Sequence, residues 1–176
     1  LWAQHAFWTK IAIKSIVMRL PDEEFVVNRL LKNPKDFAKL LSAYYNNKIV
    51  MEFESLLTEH LLLAAAMIKG IINGNTIEAE KSRIEWYKNA DEIAKFLSQI
   101  NPYWTRNEWQ NAFYIHLEQI EELVDYLINQ SYNAVVLITD EIERHALDMA
   151  EMMWEGLIKQ FLQNYLLVKG EYRKNK

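Results

Sequence analysis

Four histidines are the residues of this 176-residue chain whose chemistry stands out, and each falls within a different long helical pattern. Imidazole nitrogens bind transition metals, transfer protons and titrate near neutral pH. His5, His60, His116 and His145 each occupy the apolar stripe of their helix. With a rise of about 1.5 Å per residue, each lies about 18–22 Å from one end of its helix. We therefore expect the four imidazoles to meet near the middle of a bundle roughly 40 Å long.

Carboxylates close to these histidines extend the candidate site. Glu141 and Asp148 lie four residues before and three residues after His145, so they share its helix face. Glu59 directly precedes His60 and would reach a site only from its edge. Imidazole with carboxylate suits a transition metal, with Fe or Zn expected. The predicted metal ligands are His5, His60, His116, His145 and Glu141, with Glu59 and Asp148 in a second tier.

A second hypothesis needs no metal. Each histidine is then a core residue with a local hydrogen bond, as buried polar groups usually are. A polar layer of this kind fixes the pairing of helices in a non-catalytic structural or interaction bundle, and it also senses acid. No Ser-His-Asp or paired-carboxylate arrangement stands out, so the sequence identifies neither a reaction nor a substrate.

Long helices must position these side chains. Apolar residues at helical spacing predict helices over about 1–20, 48–73, 76–99, 105–130 and from 132 into the 160s. No segment alternates like a strand, so the predicted class is all-α. The predicted breaks and caps are Pro21, Asn33-Pro34, Gly74, Asn101-Pro102, and the capping boxes Asn75 with Glu78 and Thr105 with Glu108.

These helices predict a single domain over residues 1–176, an up-down-down-up four-helix bundle with a helical crossover. In this scheme the first two long helices form one antiparallel hairpin and the last two form another. The predicted parts are a first hairpin over 1–73 with a short helical insertion at 21–47, a crossover helix over 76–100, a second hairpin over 104–165, and a basic tail over 166–176.

The segments LWAQHAFW, FESLLTEH, FYIHLEQI and DEIERHALD resemble the ferritin-like bundles, whose two helical hairpins hold metal at mid-height. The resemblance implies a metal-binding protein with redox or oxygen chemistry. The Glu-x-x-His of that family does not occur here, because positions 57, 113 and 142 are Leu, Phe and Ile. This favours a histidine-rich site over one bridged by carboxylates.

The stretches LLTEH, WYKNADEIAKFL and INPYW are similar to a group of small, uncharacterised bacterial helical proteins, some of which carry the automatic name acetylglutamate kinase. An amino-acid kinase needs an α/β domain with glycine-rich phosphate loops. This chain has four glycines and no strand pattern, so that activity is not expected.

Composition limits the remaining classes. The chain is 51% hydrophobic with a net charge of −4, which favours a globular domain and gives no electrostatic footprint for nucleic acid. It has no cysteine, which excludes disulfides and thiolate sites. We expect no membrane span, no signal peptide and a cytoplasmic location. Tryptophan-rich ends favour a homodimer. The chain starts at Leu1, without a methionine and inside a helical pattern, so we expect further residues upstream.

Overall fold

A computed structural model describes residues 1–162, and every regular element in that range is helical. The all-α prediction is therefore confirmed. The end of the predicted second hairpin, from 163, and the basic tail over 166–176 lie outside the described residues. The elements are α1 (Trp2–Val17), α2 (Glu23–Leu30), α3 (Asn33–Leu41), α4 (Asn47–Ile72), α5 (Thr76–Ile100), α6 (Arg106–Ile128), α7 (Tyr132–Leu157) and a π-helical turn (Ile158–Leu162).

Two helix starts are capped as predicted. The side chains of Asn75 and Thr105 accept hydrogen bonds from the backbone N–H of Glu78 and Glu108, each at 3.2 Å. Such caps satisfy N–H groups that have no partner within the helix. Gly74 follows α4 with φ of 71°, a left-handed conformation that suits glycine and lets the chain reverse into α5.

The insertion forms two short helices, and it changes the direction expected of α4. Arg19, just after α1, donates from Nη2 to the carbonyl of Ile72 at 3.0 Å, so the C-terminal ends of α1 and α4 lie together. At the opposite end, Trp2 packs on Phe37 of α3, which packs on Phe53 of α4. α1 and α4 therefore run parallel, and the antiparallel first hairpin is wrong. The reason is that α2 and α3 carry the chain back along the bundle before α4 starts.

α5 carries the chain back along the bundle and packs against both α4 and α6. A Cβ at Gly70 of α4 would lie 2.8 Å from the backbone nitrogen of Ala79, so the two backbones approach closely there. Arg83 near the start of α5 binds Glu121 near the end of α6 at 2.6 Å, which shows that these two helices are antiparallel. α6 is therefore parallel to α4, as predicted.

α7 returns antiparallel to α6 and closes the bundle against α1. Trp104 precedes α6, and its Nε1–H donates to the carbonyl of Met152 near the end of α7 at 3.2 Å. Its indole fills the space that a side chain at Gly156 would need. Trp104 joins Trp86 and Trp109 among the most deeply buried side chains of the described residues.

α4 also bears on the membrane prediction. Within the described residues it is the one helix long and apolar enough to cross a membrane, and 33% of its most apolar window is buried. Length and composition of this kind are weak evidence, because core helices of soluble proteins share them. The absence of a membrane span stays a prediction.

Candidate functional site

Three of the four histidines meet in the centre of the bundle. His116 of α6 lies between the other two, with its ring centroid 5.6 Å from that of His5 and 6.3 Å from that of His60. All three are at most 5% exposed. α1, α4 and α6 run in the same direction, and the face of each that carries its histidine is turned towards the others. We call His5, His60 and His116 the histidine cluster.

His60 has a partner at each ring nitrogen. Trp86 donates from Nε1 to His60 Nε2 at 3.2 Å, so Nε2 is an acceptor. Nδ1 lies 3.0 Å from Oδ1 of Asn89, and it must donate because that oxygen accepts only. The amide of Asn89 is oriented in turn, since its Nδ2 donates to the carbonyl of Leu56 and to Glu59. The network therefore holds His60 as a neutral imidazole with its proton on Nδ1.

His5 has a similar partner on one side only. Its Nδ1 lies 3.1 Å from Oδ1 of Asn33, whose Nδ2 donates to the carbonyl of Leu1. By the same reasoning Nδ1 of His5 donates, and Nε2 is an acceptor. The sequence predicted Asn33 as the N-cap of a helix whose first residue is Pro34. In the structure it is the first residue of α3, is 1% exposed and holds His5 instead.

His116 has ring neighbours but no hydrogen-bond partner for its side chain among the described residues. Beyond His5 and His60, the surroundings of the cluster are aromatic. Phe113 packs edge-on against His60 at 5.6 Å, and Trp2 packs edge-on against His5 at 6.2 Å. Phe7, two residues after His5, is not part of these surroundings, because its side chain is 57% exposed.

Burial dominates the electrostatics of the cluster. It lowers the pKa of His5 to about 4 and that of His60 to about 3, while the hydrogen bonds that these rings donate to Asn33 and Asn89 oppose the shift. Burial also lowers the pKa of His116 well below its ordinary value, and the charges of His5, His60 and His145 add to that effect. Desolvation disfavours the charged form of a base, so all three imidazoles are neutral at pH 7.

His145 and the carboxylates do not join the cluster. His145 is half-buried, and its Nε2 lies 2.8 Å from the backbone carbonyl of Ala112, to which it donates. Glu141, Asp148 and Glu59 are exposed. Across residues 1–162, no three His, Cys, Asp or Glu side chains are grouped so that they could hold a metal ion.

The predicted metal-binding function is therefore wrong. The ligand set foreseen for Fe or Zn is divided: three histidines lie inside the bundle with amide and indole partners, and the acids face solvent. Spacing along each helix located the height of these residues. It did not fix how far each helix is rotated about its own axis, and this rotation decides which side chains converge.

The sequence reasoning missed the residues that hold the imidazoles. Asn33, Asn89 and Trp86 are each at most 2% exposed. A signal was present for Asn89, which lies on the buried face of α5 three residues after Trp86. Asp91 of α5 is half-buried and accepts hydrogen bonds from Gln110 at 2.6 Å and Tyr114 at 3.0 Å on α6.

No protein-family model, no curated protein and no solved structure matches this chain. The resemblances to ferritin-like bundles and to small bacterial helical proteins stay predictions. The functional argument depends on the geometry of the histidine cluster.

Proposed function

We propose that this protein is a non-catalytic helical scaffold that is folded near neutral pH and opens in acid. The observation that carries the proposal is the histidine cluster itself, three imidazoles in ring contact inside the core. A buried imidazole that gains a proton becomes an uncompensated buried charge, which strongly favours unfolding. Protonation of the cluster is thus coupled to loss of the fold.

The partners of the histidines support a non-catalytic role. Within the described residues, His5 and His60 are bonded to side-chain amides and an indole, and His145 to a backbone carbonyl. A catalytic base lies within reach of a nucleophile and is oriented by a third group, commonly a carboxylate. Amide partners instead hold an imidazole in one tautomer and one position.

The charged groups around the cluster do little to stabilise an added proton. Glu59 is the nearest carboxylate in the hydrogen-bond network, and it contacts Asn89 rather than His60. A charged His145 would repel a protonated His116. A neutral compartment such as the cytoplasm is therefore where we propose that the scaffold works.

The direction of the pH effect follows from the pKa values. The folded pKa values of about 4 for His5 and about 3 for His60 lie below the 6.5 of an unfolded histidine. Between these limits the unfolded chain binds more protons, so the free energy of unfolding falls as the pH falls below 6.5. Within that window each of these histidines lowers the free energy of unfolding by about 1.4 kcal/mol for every pH unit of acidification. Above about pH 7.5 the contribution is constant.

Urea unfolding followed by circular dichroism between pH 8 and 5 tests the proposal. The variant His116→Phe removes a titrating ring that has no hydrogen bond to lose, and the control His145→Gln changes a histidine outside the cluster. We expect stability to fall steeply below pH 6.5 in the wild type and in His145→Gln. We expect His116→Phe to lose about a third of that slope. A wild-type profile that is flat from pH 8 to 5 would reject the acid response.

A further inference from the structure

A cavity of about 40 Å³ lies beside the histidine cluster, between α1, α2 and α4. That volume accommodates about three water molecules. His5, His60 and His116 form one end, and the remaining walls are mostly aliphatic, including Ile13, Leu30, Ala64 and Ile68. Leu62 also lines the cavity and is 50% exposed, so the space extends towards the surface along α4.

The cavity contains polar groups that the protein itself does not satisfy. Thr9 lines it, is 7% exposed, and its hydroxyl is buried without a partner. The side chain of His116 is 5% exposed and has no hydrogen bond among the described residues. His5 has a partner at Nδ1 alone. Buried polar groups in proteins are nearly always bonded to protein, water or another bound molecule, so this set points to an occupant.

The three groups define the chemistry of that occupant. Nε2 of His5 is an acceptor, because the ring proton is on Nδ1, which donates to Oδ1 of Asn33. A neutral His116 offers one donor and one acceptor, and the hydroxyl of Thr9 does both. No Asp, Glu, Lys or Arg is among the residues that line the cavity, so nothing there would balance the charge of an ion. The occupant must donate as well as accept, and its body must be apolar.

We propose that this cavity is a binding site for a small neutral molecule with a hydroxyl group on a short aliphatic chain. The hydroxyl lies between Thr9 and the unpartnered nitrogens of His5 and His116. The aliphatic chain extends along Ile13, Ala64 and Ile68 towards Leu62. This site goes beyond the acid response, because it works through neutral imidazoles and needs no change of fold.

Titration of the whole protein with 1-propanol at pH 7.5 tests the site. The readouts are long-range ¹H–¹⁵N spectra of the histidine rings and methyl spectra of the alanines. We expect saturable shifts at His5, His116 and Ala64, with a dissociation constant of order 1 mM, within reach of a four-heavy-atom ligand. 1-Chloropropane keeps the chain without the hydroxyl, and we expect it to leave the ring nitrogens of His5 and His116 unshifted.

Three variants make the result specific. Thr9→Val keeps the size of the side chain but removes the hydroxyl, and we expect binding about fivefold weaker. Ala64→Leu fills the cavity, and we expect no saturable shift. Thr58→Val is the matched control, because that hydroxyl is bonded to the carbonyl of Glu54 in its own helix. It should bind like the wild type.

Two results would overturn the site. One is the lack of saturable shifts in a wild-type protein that is folded by circular dichroism, which would mean that water alone occupies the cavity. The other is equal affinity in Thr9→Val and the wild type. Neither result depends on acid unfolding, because the cluster is neutral at pH 7.5 whether or not the fold responds to acid.

Discussion

The indole of Trp86 donates to Nε2 of His60 at 3.2 Å, and this bond occupies the nitrogen that would otherwise take up a proton. Both side chains are at most 2% exposed, and they belong to the neighbouring helices α5 and α4. A donor held at that nitrogen favours the neutral form of the ring. Burial and this bond therefore act in the same direction on the charge of His60.

Trp86→Phe should release His60 from that constraint. Phenylalanine keeps an aromatic ring in the core but has no N–H, so Nε2 loses its donor inside the bundle. We expect a loss of about 2–4 kcal/mol in the free energy of unfolding at pH 7.5, from the unsatisfied nitrogen and the smaller ring. Urea unfolding measures this loss. Trp154→Phe is the control, because Trp154 is 57% exposed and should change stability by less than about 0.5 kcal/mol.

Asn33→Ala should destabilise the protein through His5. Asn33 accepts from Nδ1 of His5 and donates to the carbonyl of Leu1, and both bonds are lost in the variant. We expect a loss of about 1–3 kcal/mol at pH 7.5, because Nδ1–H is left buried without an acceptor.

Asn129→Ala is the matched control for this experiment. Asn129 bonds only to Asp125 in its own exposed helical turn, so thermal unfolding should detect little change. Equal effects of the two substitutions would contradict the role assigned to Asn33.

Much of the fold was predictable because it depends on local rules. Helical spacing of apolar residues, Pro21, Gly74 and the caps at Asn75 and Thr105 located the long helices and their ends. Each of these signals acts within a few residues of the chain, where one sequence is informative. The direction of α4 could not be predicted from local signals. It depended on whether the insertion carries the chain back along the bundle before α4 begins.

The candidate site was predictable only in part for a related reason. Counting residues along helices placed His5, His60 and His116 at one height, and they meet there. The rotation of α7 placed His145 against a backbone carbonyl and left Glu141 exposed. Rotation of a helix is set by packing between helices, which one sequence pattern does not encode.

The tautomers of His5 and His60 give a prediction independent of stability. Asn33 and Asn89 accept from Nδ1 of these two rings, so both should carry their proton on Nδ1. With pKa values of about 4 and 3, both should remain neutral at pH 6, where an unperturbed histidine is mostly charged. Long-range ¹H–¹⁵N spectra distinguish the two tautomers and the charged form. Protonation of either ring between pH 7 and 6 in the folded state would contradict the assignment.

Gly156→Ala should be far more damaging than Gly74→Ala. A Cβ at this position would overlap Nε1 and its neighbouring carbons in Trp104, which is 2% exposed and bonded to Met152. The indole cannot move aside without losing that bond, so we expect a loss of about 3 kcal/mol or more. Gly74→Ala should cost about 1 kcal/mol, because only its φ of 71° opposes the change and the space around it is open. Thermal unfolding should therefore give a much lower melting temperature for Gly156→Ala than for Gly74→Ala. The reverse order would show that Trp104 does not hold α7 in place.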